Sequence, residues 1–270
     1  MIEFSNADLI RAFLVTTAAG LATVIGGLLV LFSKRSNARL LAFGLAFASG
    51  AMVYVSLTEI FTKSIDSFAI AYGDKDLGFM YGSGAFLLGI ITVAILDMIL
   101  PNPHGDLVVK PGQDQTEQTV NLRRVGLLTM VAITAHNFPE GLATFFTMLD
   151  NPELGLSLAV AITLHNIPEG VSIAIPVYYA TNRVSLAIGA CFLSGLAEPI
   201  GAALGYAFIG QHLSQAVFGG VFGFIAGIMV FLSMDELLPA AKQYSRGHET
   251  VYGLVLGMAS MSASLVAFRL

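Results

Sequence analysis

A chain of 270 residues with 56% hydrophobic and only 11% charged side chains has more apolar surface than a water-soluble core absorbs, since soluble domains average about 25% charge. The formal net charge of −5 is modest and scattered, with no basic patch and no interleaving of aromatic and basic residues, which excludes nucleic acid as a partner. The single cysteine, Cys191, excludes a disulfide framework and a thiolate metal site, and reads as a small buried hydrophobe.

The solvent these numbers point to is the lipid bilayer. A helix needs about 20 apolar residues to cross its hydrocarbon. Eight segments meet or approach that length, predicting an all-α integral membrane protein with one transmembrane domain over 1–270. The first span covers 7–32. Glu3 and Asp8 precede its hydrophobic run, which is too long for a signal peptide, so it reads as a span. A short basic link leads to the second, 40–62. A polar link from Lys63 to Gly78 leads to the third, 79–100. The one long loop, 101–124, carries His104, Asp106, Lys110, Asp114 and Glu117 and reads as solvent-exposed and cytoplasmic. The fourth span covers 125–149, and Asn151-Pro152 turns the chain into the fifth, 154–180. The sixth, seventh and eighth cover 184–209, 216–240 and 251–268. None shows the period-2 alternation of barrel strands, and continuous helices satisfy their own backbone in lipid.

Basic residues set the orientation. With the N-terminus outside, Lys34, Arg35, Arg39, Lys110, Arg123, Arg124, Arg183, Lys242 and Arg246 fall inside, which is 9 of the 13. Only Arg11, Lys63, Lys75 and Arg269 fall outside, so both termini are expected on the outer side.

The stretch from Ser49 to Ile60 recurs, 177 residues later, from Ala226 to Leu237, with Gly50, Met52, Val53, Ser56 and Glu59 matched by Gly227, Met229, Val230, Ser233 and Glu236. These lie in the second and seventh spans, which run in opposite directions. The expected architecture is therefore 3+2+3, with spans 1–3 and 6–8 as inverted repeats around a central pair. That plan recurs in secondary transporters, with the substrate site near the midplane.

The central pair carries a doubled motif: His136-Asn137-Phe138-Pro139-Glu140-Gly141, then His165-Asn166-Ile167-Pro168-Glu169-Gly170, 29 residues on. Residues three and four apart share a helix face, so His136, Asn137 and Glu140 converge in the fourth span, and His165, Asn166 and Glu169 in the fifth. Imidazole and carboxylate both suit borderline divalent metals. Pro139 and Pro168 release the carbonyls of Ala135 and Leu164 from the helical ladder, and Gly141 is expected to loosen its turn. Ionised carboxylates in hydrocarbon are costly, so the pair is expected to be metal-loaded or partly protonated. Glu198, followed by Pro199 in the sixth span, is a further candidate ligand.

Glu59, Asp235 and Glu236 read as lying near the ends of their spans, where they would serve an accessory metal pathway or merely face solvent. Met52 and Met229 are soft-ligand candidates for which core filling is the simpler reading. His104 is a weak candidate in the loop, and His212 and His248 read as surface residues. The His-x-x-x-Glu order lacks the His-Glu-x-x-His of zinc proteases, and no soluble output domain is evident. An intramembrane metalloenzyme and a metal sensor stand as the alternatives to metal transport.

The doubled His-Asn-x-Pro-Glu-Gly motif, with the Ser-Gly-Leu-Ala-Glu-Pro run at 194–199, resembles the ZIP (Zrt/Irt-like) divalent metal transporter family, in its bacterial branch, over essentially the whole chain. The resemblance implies eight spans with both termini outside, location in the cell inner membrane, and import into the cytoplasm of zinc foremost, with iron(II), manganese, cobalt and cadmium as further cargo. It implies no enzymatic activity and no catalytic cofactor. It also implies a binuclear centre. His136, Glu140, His165 and Glu169 would form one position; Asn137, Glu140, Asn166, Glu169 and Glu198 would form the other. An elevator-like movement and a homodimer belong to the same expectation, with an iron(II)- or manganese-preferring or channel-like permease as the variant reading. His104 stands alone where eukaryotic members carry a histidine-rich loop, and Asn166 stands where some relatives have Asp, so their metal preference does not carry over.

Overall fold

The structure, a computed structural model, describes residues 4–32, 38–99, 134 and 137–269. The 101–124 loop with His104, the opening of the fourth span, His136, and Lys34 and Arg35 of the first link lie outside the described residues. Among the described residues every regular element is helical. Seven stretches are long and apolar enough to cross a membrane: Asn6–Leu29, Ala42–Tyr72, Lys75–Met98, Pro152–Ile175, Val184–Ile209, Gln215–Tyr244 and Glu249–Ala267.

Helix α1 (Asn6–Phe32) starts at a Ser5–Asp8 cap, in which the Ser5 hydroxyl accepts from the Asp8 amide at 3.2 Å and donates to its carboxylate at 2.7 Å. Helix α2 (Ala38–Val55) passes through a π turn (Ser56–Ile60) into α3 (Phe61–Tyr72). Helix α4 is Lys75–Ile99. Helix α5 occupies 137–150. Asn151 then caps α6 (Pro152–Thr181), accepting from the amides of Glu153 and Leu154, and Pro152 supplies the N-terminal turn. Helices α7 (Val184–Gly195) and α8 (Ala197–Ile209) form one broken span. Helix α9 (Gln215–Leu232) passes through a second π turn (Ser233–Leu237) into α10 (Leu238–Tyr244), and α11 (Glu249–Arg269) follows.

Three expectations change. The link expected at Lys63–Gly78 is helix as far as Tyr72, and the connection is Gly73, at φ 71°, with Asp74. Polar residues there have lateral partners: Lys63 pairs with Asp150 at 2.6 Å, and Ser64 donates to the Gly219 carbonyl at 2.6 Å. Polarity in this stretch therefore marks contact with α5 and α9, and the turn is made where Gly73 allows a left-handed residue and Asp74 caps α4. Glu59 is consequently inside a long helix, buried, with 13 residues following it to Tyr72, and the end-of-span placement does not hold. The sixth span is interrupted at Leu196 because Pro199 has no N–H to offer the Gly195 carbonyl. By contrast α6 runs unbroken through Pro168, whose ring packs towards Gly44 of α2.

The helices pack side by side, with α2 also against α6. Helix α2 lies along α11, and α4 along α9 and α3; α1 lies along α6 and against α7 and α8. Small residues allow these approaches where lipid provides no hydrophobic drive between helices. A side chain at Gly50 would collide with the carbonyl of Leu254, and one at Gly227 with that of Phe86. Gly257 stands in the same way against Phe47, and Gly89 against Phe224. Gly26 faces the Ile167 carbonyl, and Gly201 faces that of Phe138. Gly170 faces Thr23, and Gly141 faces Glu198, while Gly20 and Gly195 face each other reciprocally. In each matched pair of contacts the partners stand a fixed distance apart in sequence: 175 residues from α1 to α7–α8, 177 from α2 to α9, 168 from α4 to α11, and 29 from α5 to α6. The two π turns also stand 177 residues apart.

Candidate metal centre

Helices α5, α6 and α8 bring Asn137, Glu140, His165, Asn166, Glu169 and Glu198 into the protein interior, none more than 2% exposed. His165 Nε2 lies 2.8 Å from Glu140 Oε1 and 3.9 Å from Glu169 Oε1, the latter one helical turn along α6. One ligand atom from each of Glu140, His165 and Glu169 falls within 4.8 Å of the others, the spacing of side chains around a single ion.

The two asparagines are held by their amide nitrogens. Asn166 donates to the Ala19 carbonyl at 2.8 Å and to Glu198 Oε1 at 2.5 Å. Asn137 donates to the Ser194 carbonyl at 3.3 Å and to the Ser194 hydroxyl at 3.4 Å. A carbonyl accepts and does not donate, so it fixes which amide end faces it. Both Oδ1 atoms are thereby left for another partner. Asn137 Oδ1, Asn166 Oδ1 and Glu198 Oε2 are buried with no hydrogen-bond partner among the described residues. A buried unsatisfied acceptor costs about 1–3 kcal/mol, more when charged. Three buried carboxylates in one cluster multiply that cost unless positive charge joins them. The donor set of carboxylate, amide and imidazole is one that divalent cations satisfy.

The motif glycines have a packing role. Gly141 presses against the Glu198 backbone and Gly170 against that of Thr23, so each draws a neighbouring helix onto the cluster; the loosening expected at Gly141 gives way to close contact. The sequence reading missed α1 altogether, although the Ala19 carbonyl orients Asn166. It also missed the π turns, whose signal was the matched Ser-x-x-Glu of Ser56–Glu59 and Ser233–Glu236.

Other candidates lie elsewhere. Glu59, Asp235 and Glu236 are outside the three-residue group, Glu59 within the first π turn and Asp235 and Glu236 within the second. Met52 and Met229 are fully buried in the apolar core beside Ser233, which donates to the Met229 carbonyl at 2.7 Å and approaches Met52 Sδ at 3.8 Å. His136 and His104 lie outside the described residues.

A family model described as ZIP Zinc transporter matches residues 101–265, which takes in both copies of the motif. A protein named zinc transporter ZupT from Stenotrophomonas maltophilia (strain R551-3) is 62% identical over 258 residues, 96% of each chain. One of the same name from Xanthomonas axonopodis pv. citri is 60% identical over 269 residues, covering 100% of this chain and 98% of its own. The chain belongs to the ZIP family. A ZupT from Chlorobium chlorochromatii is 44% identical over 97% of this chain. As a ZIP member with seven candidate spans among its described residues, the protein is a multi-pass membrane protein.

Proposed function

We propose that this ZIP protein imports divalent transition metals, zinc foremost, across the cytoplasmic membrane, and that the cluster on α5, α6 and α8 is its transport site. The observation that carries the reading is the buried Glu140–His165–Glu169 group, three metal-binding side chains within ligand spacing in the interior of a membrane protein. Full-length relatives named zinc transporters support the choice of metal. In this reading His136 joins Glu140, His165 and Glu169 at one position, and Asn137, Glu140, Asn166, Glu169 and Glu198 supply an all-oxygen position beside it. Zinc is cargo, with iron(II), manganese, cobalt and cadmium as further substrates, and no chemistry is performed on it.

The architecture belongs to the same proposal: eight spans, 3+2+3, with spans 1–3 and 6–8 as inverted repeats and both termini outside. The matched glycine contacts support it, since they recur at constant sequence offsets from α1, α2, α4 and α5 to α7–α8, α9, α11 and α6. The continuous helix from Ala38 to Tyr72 supports two long spans, each carrying a π turn with a Glu as an accessory pathway residue.

Uptake into proteoliposomes tests the function. The native chain is expected to accumulate zinc, and a Glu140→Ala, Glu169→Ala double variant is expected to lose that uptake. Native protein that binds zinc yet moves none would return the metal sensor or enzyme reading.

A further inference from the structure

We propose that the Thr23 hydroxyl is an additional oxygen ligand of the all-oxygen metal position, presented from α1 on the Asn137 side; this rests on reading the paired motif as a metal site. In apolar helices a threonine hydroxyl commonly donates to the carbonyl four residues back. Thr16 and Thr17 of α1 do so, to Ala12 and Phe13 at 2.9 and 2.7 Å, as do Thr58, Thr92, Thr163 and Thr181 in other helices, while the buried hydroxyls of Thr144, Thr147 and Thr250 have no partner among the described residues. Thr23 makes no such bond either. The carbonyl four residues behind it, that of Ala19, holds Asn166, and Thr23 Oγ1 is fully buried with no hydrogen-bond partner among the described residues.

The matched contacts indicate what this hydroxyl faces. Thr23 sets its backbone carbonyl against Gly170 as Glu198 sets its own against Gly141. The Asn166–Ala19 hydrogen bond has its counterpart in Asn137–Ser194. Glu198 then extends its carboxylate to Asn166, and the residue at the matching position of α1, 175 residues earlier, is Thr23. Thr23 Oγ1 lies 3.6 Å from where a Gly195 side chain would begin, next to the Ser194 that holds Asn137. Asn137 Oδ1 is likewise buried and without a partner. A cation on this side satisfies both oxygens at once. With the carboxylates of Glu140, Glu169 and Glu198 and the amide oxygen of Asn166, the position then gains six oxygens, a set suited to hard, six-coordinate divalent ions such as manganese. One flank carries the carboxyl group of Glu198 and the other the neutral hydroxyl of Thr23, so Thr23 adds coordination without adding an ionisable group.

Equilibrium dialysis of the purified full chain against zinc and manganese tests this. Thr23→Val keeps the shape and removes the oxygen; Thr23→Ser keeps the oxygen. Thr23→Val is expected to weaken the second bound ion by at least about tenfold, the low end of what loss of a supporting partner costs at a metal site, with the first ion unchanged and manganese affected more than zinc. Thr23→Ser is expected to restore native binding. Thr23→Cys in a Cys191→Ala background, titrated with cadmium, is expected to show a thiolate-to-cadmium charge-transfer band absent from Cys191→Ala alone, which a purely structural threonine would not produce. Native binding of both ions by Thr23→Val, with no band in the cysteine variant, overturns the inference and leaves the transport site standing. A native chain that binds neither ion overturns both.

Discussion

Asn137 and Asn166 turn their amide nitrogens to backbone carbonyls and leave their oxygens to the cluster, so the site is organised by groups that would not be picked as ligands. The Ala19 and Ser194 carbonyls act through two asparagines, and Gly141 and Gly170 set how near α8 and α1 can come. A methyl at Gly141 would overlap the Glu198 backbone, which cannot retreat without carrying the carboxylate with it. Overpacking of this kind costs about 1–3 kcal/mol. Gly141→Ala and Gly170→Ala are therefore expected to lower both the unfolding temperature in detergent and zinc uptake. Gly84→Ala, with open space around it, is expected to lower neither. The clustering of Glu140, His165 and Glu169 was legible because a spacing of three or four places motif residues on one helix face. The part played by α1 was not, because it contributes a carbonyl and a hydroxyl from residues that look like ordinary packing.

Among the described residues helix existence was readable from apolar length, while helix ends were not, because polarity inside the chain has two meanings. Lys63, Ser64 and Ser67 look like a departure from the membrane, yet Lys63 meets Asp150, Ser64 meets the Gly219 carbonyl, and Ser67 is buried. A proline within a helix costs about 3 kcal/mol or more, whereas in a loop it is often tolerated. Ser67→Pro is thus expected to destabilise the protein clearly in thermal unfolding, and near-native stability would restore the loop reading. The π turns each insert one extra residue into a long helix at matching places, re-aiming Glu59 and Glu236 relative to the residues before them. Periodicity could not reveal them, since a single extra residue leaves an apolar run apolar.

At the scale of the molecule, the repeated Ser49–Ile60 and Ala226–Leu237 stretches were the visible part of a wider regularity. The rest is held by glycines and backbone carbonyls, and a carbonyl leaves no trace in side-chain identity; Gly20 against Gly195 is one such contact. The orientation drawn from the basic residues places Asp74 outside and Arg183 inside. In a Cys191→Ala background, Asp74→Cys is expected to react with a membrane-impermeant maleimide on intact cells, and Arg183→Cys only after permeabilisation. The reverse pattern would invert the topology.

The central claim is that the paired motif holds the transported ion. Anomalous scattering at the zinc edge from crystals grown with zinc tests it most directly. A peak among Glu140, His165 and Glu169, with His165 Nε2 at about 2.0–2.1 Å from the metal, is the expected result. A His165–Glu140 hydrogen bond that persists at 2.8 Å in the presence of zinc, with no peak beside it, would contradict the account.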